Sequence, residues 1–319
     1  MQPLSDTLVV DFTRYLPGAY ASRELTRLGA RVVRVEPPGG DPMRSTATAW
    51  DTALRAGSES VVCDLPHDAA FARALCARAD VVLEGFRPGV SARLGIGPDD
   101  VPGTTVYCSI TGFGEAGRHR ARAGHDVNYL GWAGVLEDEP EQLSPVQVAD
   151  LAAGALGAVT EVLAALLDRH RTGRGARIVV SMTHRSHNLV AHRLGGEPVP
   201  KLLTGGLACY AVYATADGRH VTVGALEPKF FRRLCDLLDR PDLADRQFDG
   251  NQEALAAQLA AVFAARPLAE WLEHFGDEDV CVGPVWTRAE AASEFGSTDE
   301  PLEVLLGAHT EAWRRELGV

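Results

Sequence analysis

The stretch LVVDFTRYLPGAYASRELTRLGARVVRVE, Leu8 to Glu36, decides the fold. Its ends, residues 8–12 and 31–35, are short β-branched runs that read as strands, and residues 19–28 between them carry helical spacing. Pro37-Pro38-Gly39-Gly40 closes the second strand. Further strands are expected at residues 60–62, 81–83 and 105–110, with a helix over 69–79. Strands alternating with helices through short loops predict an α/β fold with a largely parallel sheet covered by helices.

Beyond this alternation, residues 149–169 are nearly all Ala, Leu, Val and Gly, interrupted by Thr160 and Glu161. A helix apolar around most of its circumference is expected to be buried and to run through the centre of the domain. Arg169, His170, Arg171 and Gly173 mark its end. Ile178-Val179-Val180 reads as another strand, with Ser181 capping the helix that follows. Gly195-Gly196-Glu197-Pro198 and Gly205-Gly206 look like a boundary. After it come a hairpin (210–213, the Asp217-Gly218 turn, 220–223) and helices at 229–238, 252–265 and 268–275. The expected organisation is a large domain over 1–195, to which 300–319 return, and a smaller α+β domain over 205–295.

Composition narrows the function classes. With 319 residues, 46% hydrophobic and 23% charged, the chain has the makeup of an ordinary globular protein, long enough for two domains. A net charge of -12 argues against nucleic acid or an anionic membrane as partner, yet leaves room for a small anion on local arginines. No secretory signal and no uninterrupted apolar run of membrane-spanning length are evident, so a cytoplasmic location is expected. Cys63, Cys76, Cys108, Cys209, Cys235 and Cys281 are scattered, which suggests free thiols rather than disulfides or zinc ligands.

Candidate chemistry centres on Gly124-His125-Asp126-Val127-Asn128-Tyr129, where an imidazole and a carboxylate adjoin in a loop, and on the isolated Asp150. A histidine paired with a second carboxyl suits proton transfer at carbon. Asp150 also has a plain reading as an acid stabilised at a helix start, and Glu227 one as an N-cap before Pro228. Composition leaves those alternatives open. Gly112-Phe113-Gly114-Glu115-Ala116-Gly117 matches a dinucleotide-binding pattern, but the residues after it lack helical periodicity. It reads better as a glycine loop beside an active site. His184, His187 and His192 do not share one helical face, so no metal site is expected.

Together these segments resemble the family III CoA-transferase superfamily, and within it the α-methylacyl-CoA racemases. The resemblance rests on residues 8–12 with Leu16-Pro17-Gly18, on residues 28–36 and 79–89, and on Ile110-Thr111-Gly112-Phe113-Gly114. Racemase-like signatures are residues 124–129 and 223–231. The resemblance implies a Rossmann-like CoA-binding domain joined to a smaller one, in an interlocked homodimer with active sites at domain and subunit boundaries. It implies that His125 and Asp150 transfer the proton, that Glu227 orients the histidine, and that the Asp126 N–H donates to the thioester oxygen. Arg34 and Arg87 would contact the CoA nucleotide, with Gly112, Gly114 and Tyr129 in the active-site loop. The substrate would be an acyl-CoA, and neither metal nor redox cofactor would be needed.

The sequence departs from the family pattern at Ser181, where an aspartate is usual, and is shortened against that pattern over 188–206 and 288–302. The function expected is inversion at C2 of a 2-methylacyl-CoA. One alternative is CoA transfer between carboxylic acids through an acyl anhydride at Asp150. Another is a degenerate acyl-CoA-binding protein.

Overall fold

The computed structural model describes residues 2–196, 201–296 and 302–319. Contacts divide the chain into two units, Met1–His192 with Glu300–Val319, and Arg193–Asp299. The first unit runs β1 (Leu8–Asp11), α1 (Tyr15–Arg27), β2 (Arg31–Glu36), α2 (Met43–Thr46), α3 (Thr48–Arg55) and β3 (Glu59–Val62). It continues α4 (Ala69–Arg78), β4 (Val81–Glu84), α5 (Val90–Arg93), β5 (Val106–Thr111) and α6 (Asp126–Trp132). A π-helix, Ala149–Leu156, leads directly into α7 (Gly157–Thr172), followed by β6 (Arg177–Ser181) and α8 (Met182–Val190).

The six strands pair in parallel in the order β3-β2-β1-β4-β5-β6. Doubled valines explain the burial of both faces, since successive strand side chains point to opposite sides. Val9, Val32 and Val81 enter one core with Leu25 and Val162, while Val10, Val33 and Val82 enter the other with Phe71 and Leu75.

One sequence expectation is corrected at the 149–172 helix. It lies against one face of the sheet rather than through the centre of the domain. Its small residues Ala153, Ala155 and Ala158 are buried, but Leu156 is 43% and Leu167 68% exposed. The small side chains let one face pack closely while the larger ones turn outward. The stretch Ala149–Thr172 is also, by length and composition, long and apolar enough to cross a membrane. The expectation that no uninterrupted apolar run reaches that length still holds, because Asp150, Thr160, Glu161 and Asp168 break the stretch.

The second unit contains β7 (Tyr210–Ala214), β8 (His220–Gly224), α9 (Pro228–Leu237), α10 (Gln252–Phe263), α11 (Leu268–Phe275), β9 (Val282–Pro284) and α12 (Arg288–Phe295). β7 and β8 form the expected antiparallel hairpin, and β9 adds to β8. β9 escaped the sequence reading because three residues with Gly283 and Pro284 show no alternation. Phe231, Leu234, Leu255, Phe263 and Trp271 build this unit's core. Residues 197–200 and 297–301, within the segments expected to be shortened, lie outside the described residues.

The end of the chain returns to the first unit as α13 (Thr310–Leu317). It meets β3, an edge strand whose unpaired backbone groups need partners. Thr310 Oγ1 accepts the Val62 N–H at 2.9 Å, and the His309 N–H donates to the Ser60 carbonyl at 3.0 Å. Trp313 is buried against the core beneath β3.

Candidate active site

In a doubly wound sheet, the loops leaving neighbouring strands diverge where the strand order reverses, and a crevice opens there. Here that point lies between β1 and β4. A cavity of about 300 Å³ opens there, lined by Thr13, Arg14 and Tyr15 after β1, Gly85 to Pro88 after β4, and Thr111 and Gly112 at β5. Arg120, Arg122, His125, Tyr129 and Asp150 complete its wall.

Local chemistry explains these placements. Glu84 is buried, and burial pushes its carboxyl up to about 6 despite hydrogen bonds from Ser109 and the Phe86 N–H, the latter at 2.7 Å. That bond shapes the turn presenting Arg87. The glycine pattern at 112–117 has a packing explanation. A Cβ on Gly112 would lie 2.5 Å from the Tyr129 ring, and one on Gly124 2.8 Å from it. The Tyr129 hydroxyl donates to the Gly124 carbonyl at 2.5 Å, so the ring fills the space two glycines leave. Gly114 turns with φ +82°, its N–H donating to Thr111 Oγ1 at 2.9 Å. The next described helix begins only at Asp126, so these glycines do not open a helix as a dinucleotide site requires.

His125 is the N-cap residue of α6, exposed at the cavity, and its N–H donates to Asn128 Oδ1 at 3.0 Å. Asp126 is the first helical residue, so its N–H has no acceptor within the helix. Its carboxylate accepts the Asp150 N–H at 2.9 Å, which ties the start of α6 to the π-helix. Asp150 is the second residue of that π-helix, a conformation that recurs at functional sites. Burial, and then the neighbouring charge of Asp126, push its carboxyl from an ordinary 3.8 up to about 7. Burial and the same two acids hold the Tyr129 phenol protonated, pushed up to about 12. A second cavity, of about 190 Å³, shares His125 and is lined by Val127, Leu130, Leu136 and Leu143.

Arg14, Arg87, Arg120 and Arg122 make the first cavity locally basic in an acidic protein. Of these, the sequence reading singled out only Arg87. The signal for Arg120 and Arg122 was the Arg118-His119-Arg120-Ala121-Arg122 run, noted only for lacking apolar periodicity, and Arg14 gave none. Arg34 is corrected: its side chain is buried, 3.2 Å from Asp11 and 3.4 Å from Asp41, which removes it from the residues available to a nucleotide. Alternation within β2 gave no warning, because the acids that draw Arg34 inward come from β1 and from the loop after β2.

Glu227 belongs to the second unit, where it is the N-cap residue of α9 with Pro228 behind it; its side chain makes no capping hydrogen bond. Ser181 caps α8, its hydroxyl accepting the His184 N–H. His184 Nδ1 lies 2.7 Å from Ser181 Oγ and His187 Nδ1 3.0 Å from the Ala133 carbonyl. Among the described residues no three His, Cys, Asp or Glu side chains group as metal ligands would. The six cysteines are free, and all but Cys281 are buried.

A family model described as CoA-transferase family III matches residues 4–299. Human α-methylacyl-CoA racemase is 35% identical over 303 residues, covering 88% of this chain and 77% of that protein. A probable fatty acyl-CoA transferase of Mycobacterium tuberculosis is 32% identical, covering 97% and 89%. The crystal structure of a CAIB/BAIF family protein from Brucella suis superposes with a TM-score of 0.82 at 25% identity, covering 99% of both chains.

Proposed function

The chain belongs to CoA-transferase family III, and from that premise we propose that it inverts C2 of a 2-methylacyl-CoA thioester by moving a proton from one face of that carbon to the other. The observation that supports this reading most is the shared cavity: His125 lines it, and so does Asp150, whose carboxyl titrates near neutrality.

Carbon beside a thioester carbonyl is weakly acidic, so the developing enolate oxygen needs a donor already in place. The Asp126 N–H, freed by its position at the helix start, is that donor. In one direction neutral His125 removes the proton and protonated Asp150 supplies another to the opposite face. In the reverse direction the Asp150 carboxylate is the base and protonated His125 the acid. An acid titrating at about 7 is populated in both forms at neutral pH, which both directions require.

The four arginines suit the phosphates of CoA. The second cavity, where Val127, Leu130, Leu136 and Leu143 line the wall beside Asp126, Ser144 and Gln147, suits a branched acyl group. In this reading Glu227 orients the histidine, the protein works as a homodimer in the cytoplasm, and CoA enters as part of the substrate.

A second reading is favoured by one observation. Asp150 lines the same cavity as the basic residues, and in this reading its carboxylate attacks a thioester and forms an acyl anhydride, releasing CoA as thiolate. Incubation with a 2-methylacyl-CoA in heavy water separates the two. Deuterium entering C2, and lost in His125→Ala and in Asp150→Asn, is the result expected. No deuterium, with CoA passing to an added free acid, establishes the transferase instead.

A further inference from the structure

Tyr15 has a backbone conformation that its side chain disfavours. Its φ is +63°, in the left-handed region, where a bulky aromatic is a genuine outlier. Such strain persists only where the surroundings enforce it, and it gathers at functional sites. Here the enforcement is visible. The Tyr15 N–H donates to Asp41 Oδ2 at 3.2 Å. Asp41 is buried, 3.4 Å from the Arg34 guanidinium and 3.5 Å from that of Arg55. Four residues earlier, Asp11 pairs with the same Arg34 at 3.2 Å and accepts the Thr13 N–H at 2.7 Å. Both ends of the turn leaving β1 are thus fastened to one buried guanidinium.

The fastened turn delivers a ring to the candidate site. Tyr15 lines the cavity, is 51% exposed, and meets the His125 imidazole edge-on, with centroids 6.5 Å apart and planes at 88°. A half-exposed ring does little for the core, so its placement calls for another purpose. Perpendicular rings at this separation attract through their quadrupoles and restrict each other's rotation.

We propose that Tyr15 is a positioning residue: the Asp11–Arg34–Asp41 cage holds it in a left-handed conformation so that its ring edge fixes the orientation of the His125 imidazole. This rests on the reading of His125 as a proton-transfer group. The phenol oxygen has no part in it; the ring is what acts.

Tyr15→Gly and Tyr15→Phe test the proposal. Glycine accepts φ +63° without strain, so the first variant folds, while the second retains the ring. The readouts are the imidazole ¹H and ¹⁵N resonances of His125, assigned by comparison with His125→Gln, and deuterium exchange into a 2-methylacyl-CoA. Tyr15→Gly is expected to move the His125 resonances and lower kcat for exchange about tenfold to a hundredfold with KM little changed; Tyr15→Phe keeps wild-type values. Unmoved resonances in Tyr15→Gly, or an equal disturbance in Tyr15→Phe, overturn it. Should the wild type exchange no deuterium, the racemase reading falls, and the resonances still decide whether Tyr15 orients His125.

Discussion

Glu36, buried in the first unit, and Asp150, half-buried at its cavity wall, are carboxyls that end in opposite states. Burial alone would raise Glu36, but Arg44 at 2.8 Å and Arg55 at 3.2 Å outweigh it and hold the acid down at about 2. Asp150 meets the Asp126 charge instead, so burial prevails and the acid stands at about 7. A buried carboxyl beside guanidiniums is a fixed structural charge. One beside another acid is available for proton transfer.

The contrast breaks most visibly in activity. Asp150→Asn and His125→Ala are each expected to lower C2 exchange by about 10²–10⁴-fold, the usual worth of a general acid or base, measured by deuterium incorporation. Retention of activity within about tenfold would place proton transfer elsewhere.

Around Glu36 the effect falls on stability. Arg55→Met leaves Glu36, Asp41 and Asp51 buried without the cation that lies within 3.5 Å of all three. Urea denaturation should show a loss of about 3–5 kcal/mol. A loss below about 1 kcal/mol would mean that the Arg55 cation is replaceable.

Asp150 should behave in the opposite sense. Because its pKa is raised in the folded state, the fold binds that proton more tightly than the unfolded chain does. The penalty is absent below the unfolded value of 3.8, grows as pH rises, and is complete above about 7. At 1.36 kcal/mol per pH unit it approaches about 4 kcal/mol. Asp150→Asn is therefore expected to stabilise the protein at pH 8 by about 2–4 kcal/mol and hardly at all at pH 4, read from urea midpoints at the two pH values. The smallest effect is expected at the cavity's arginines. Arg87→Ala should raise KM for a CoA thioester about tenfold, since one charge-assisted contact is lost, and leave kcat within about twofold.

How much of this was legible in the sequence follows from the range of the forces involved. Paired valines and glycine-marked turns report local geometry, so the parallel sheet and the hairpin at 210–224 could be read directly. The fate of a charge depends on neighbours distant in the chain, and these periodicity does not reveal. Arg34 looked like a ligand contact until Asp11 and Asp41 were placed on either side of it. Arg14, Arg120 and Arg122 drew no reading of their own from the sequence, and only the topology brings their loops to one cavity. Tyr15 gave no sign of strain, because tyrosine carries no signature of positive φ. Asp150 stood out in the sequence as an isolated acid and took its role from family resemblance; its carboxyl near neutrality follows from burial and from Asp126, whose carboxylate lies 2.9 Å from its backbone nitrogen across 24 residues of chain.

Carboxyl ¹³C NMR of the protein labelled at aspartate, with the Asp150 signal assigned from Asp150→Asn, tests the central claim most directly. A midpoint near pH 7 is the result predicted. A midpoint near 4, the ordinary aspartate value, would show that burial does not govern this acid and would remove the basis for proton transfer at C2.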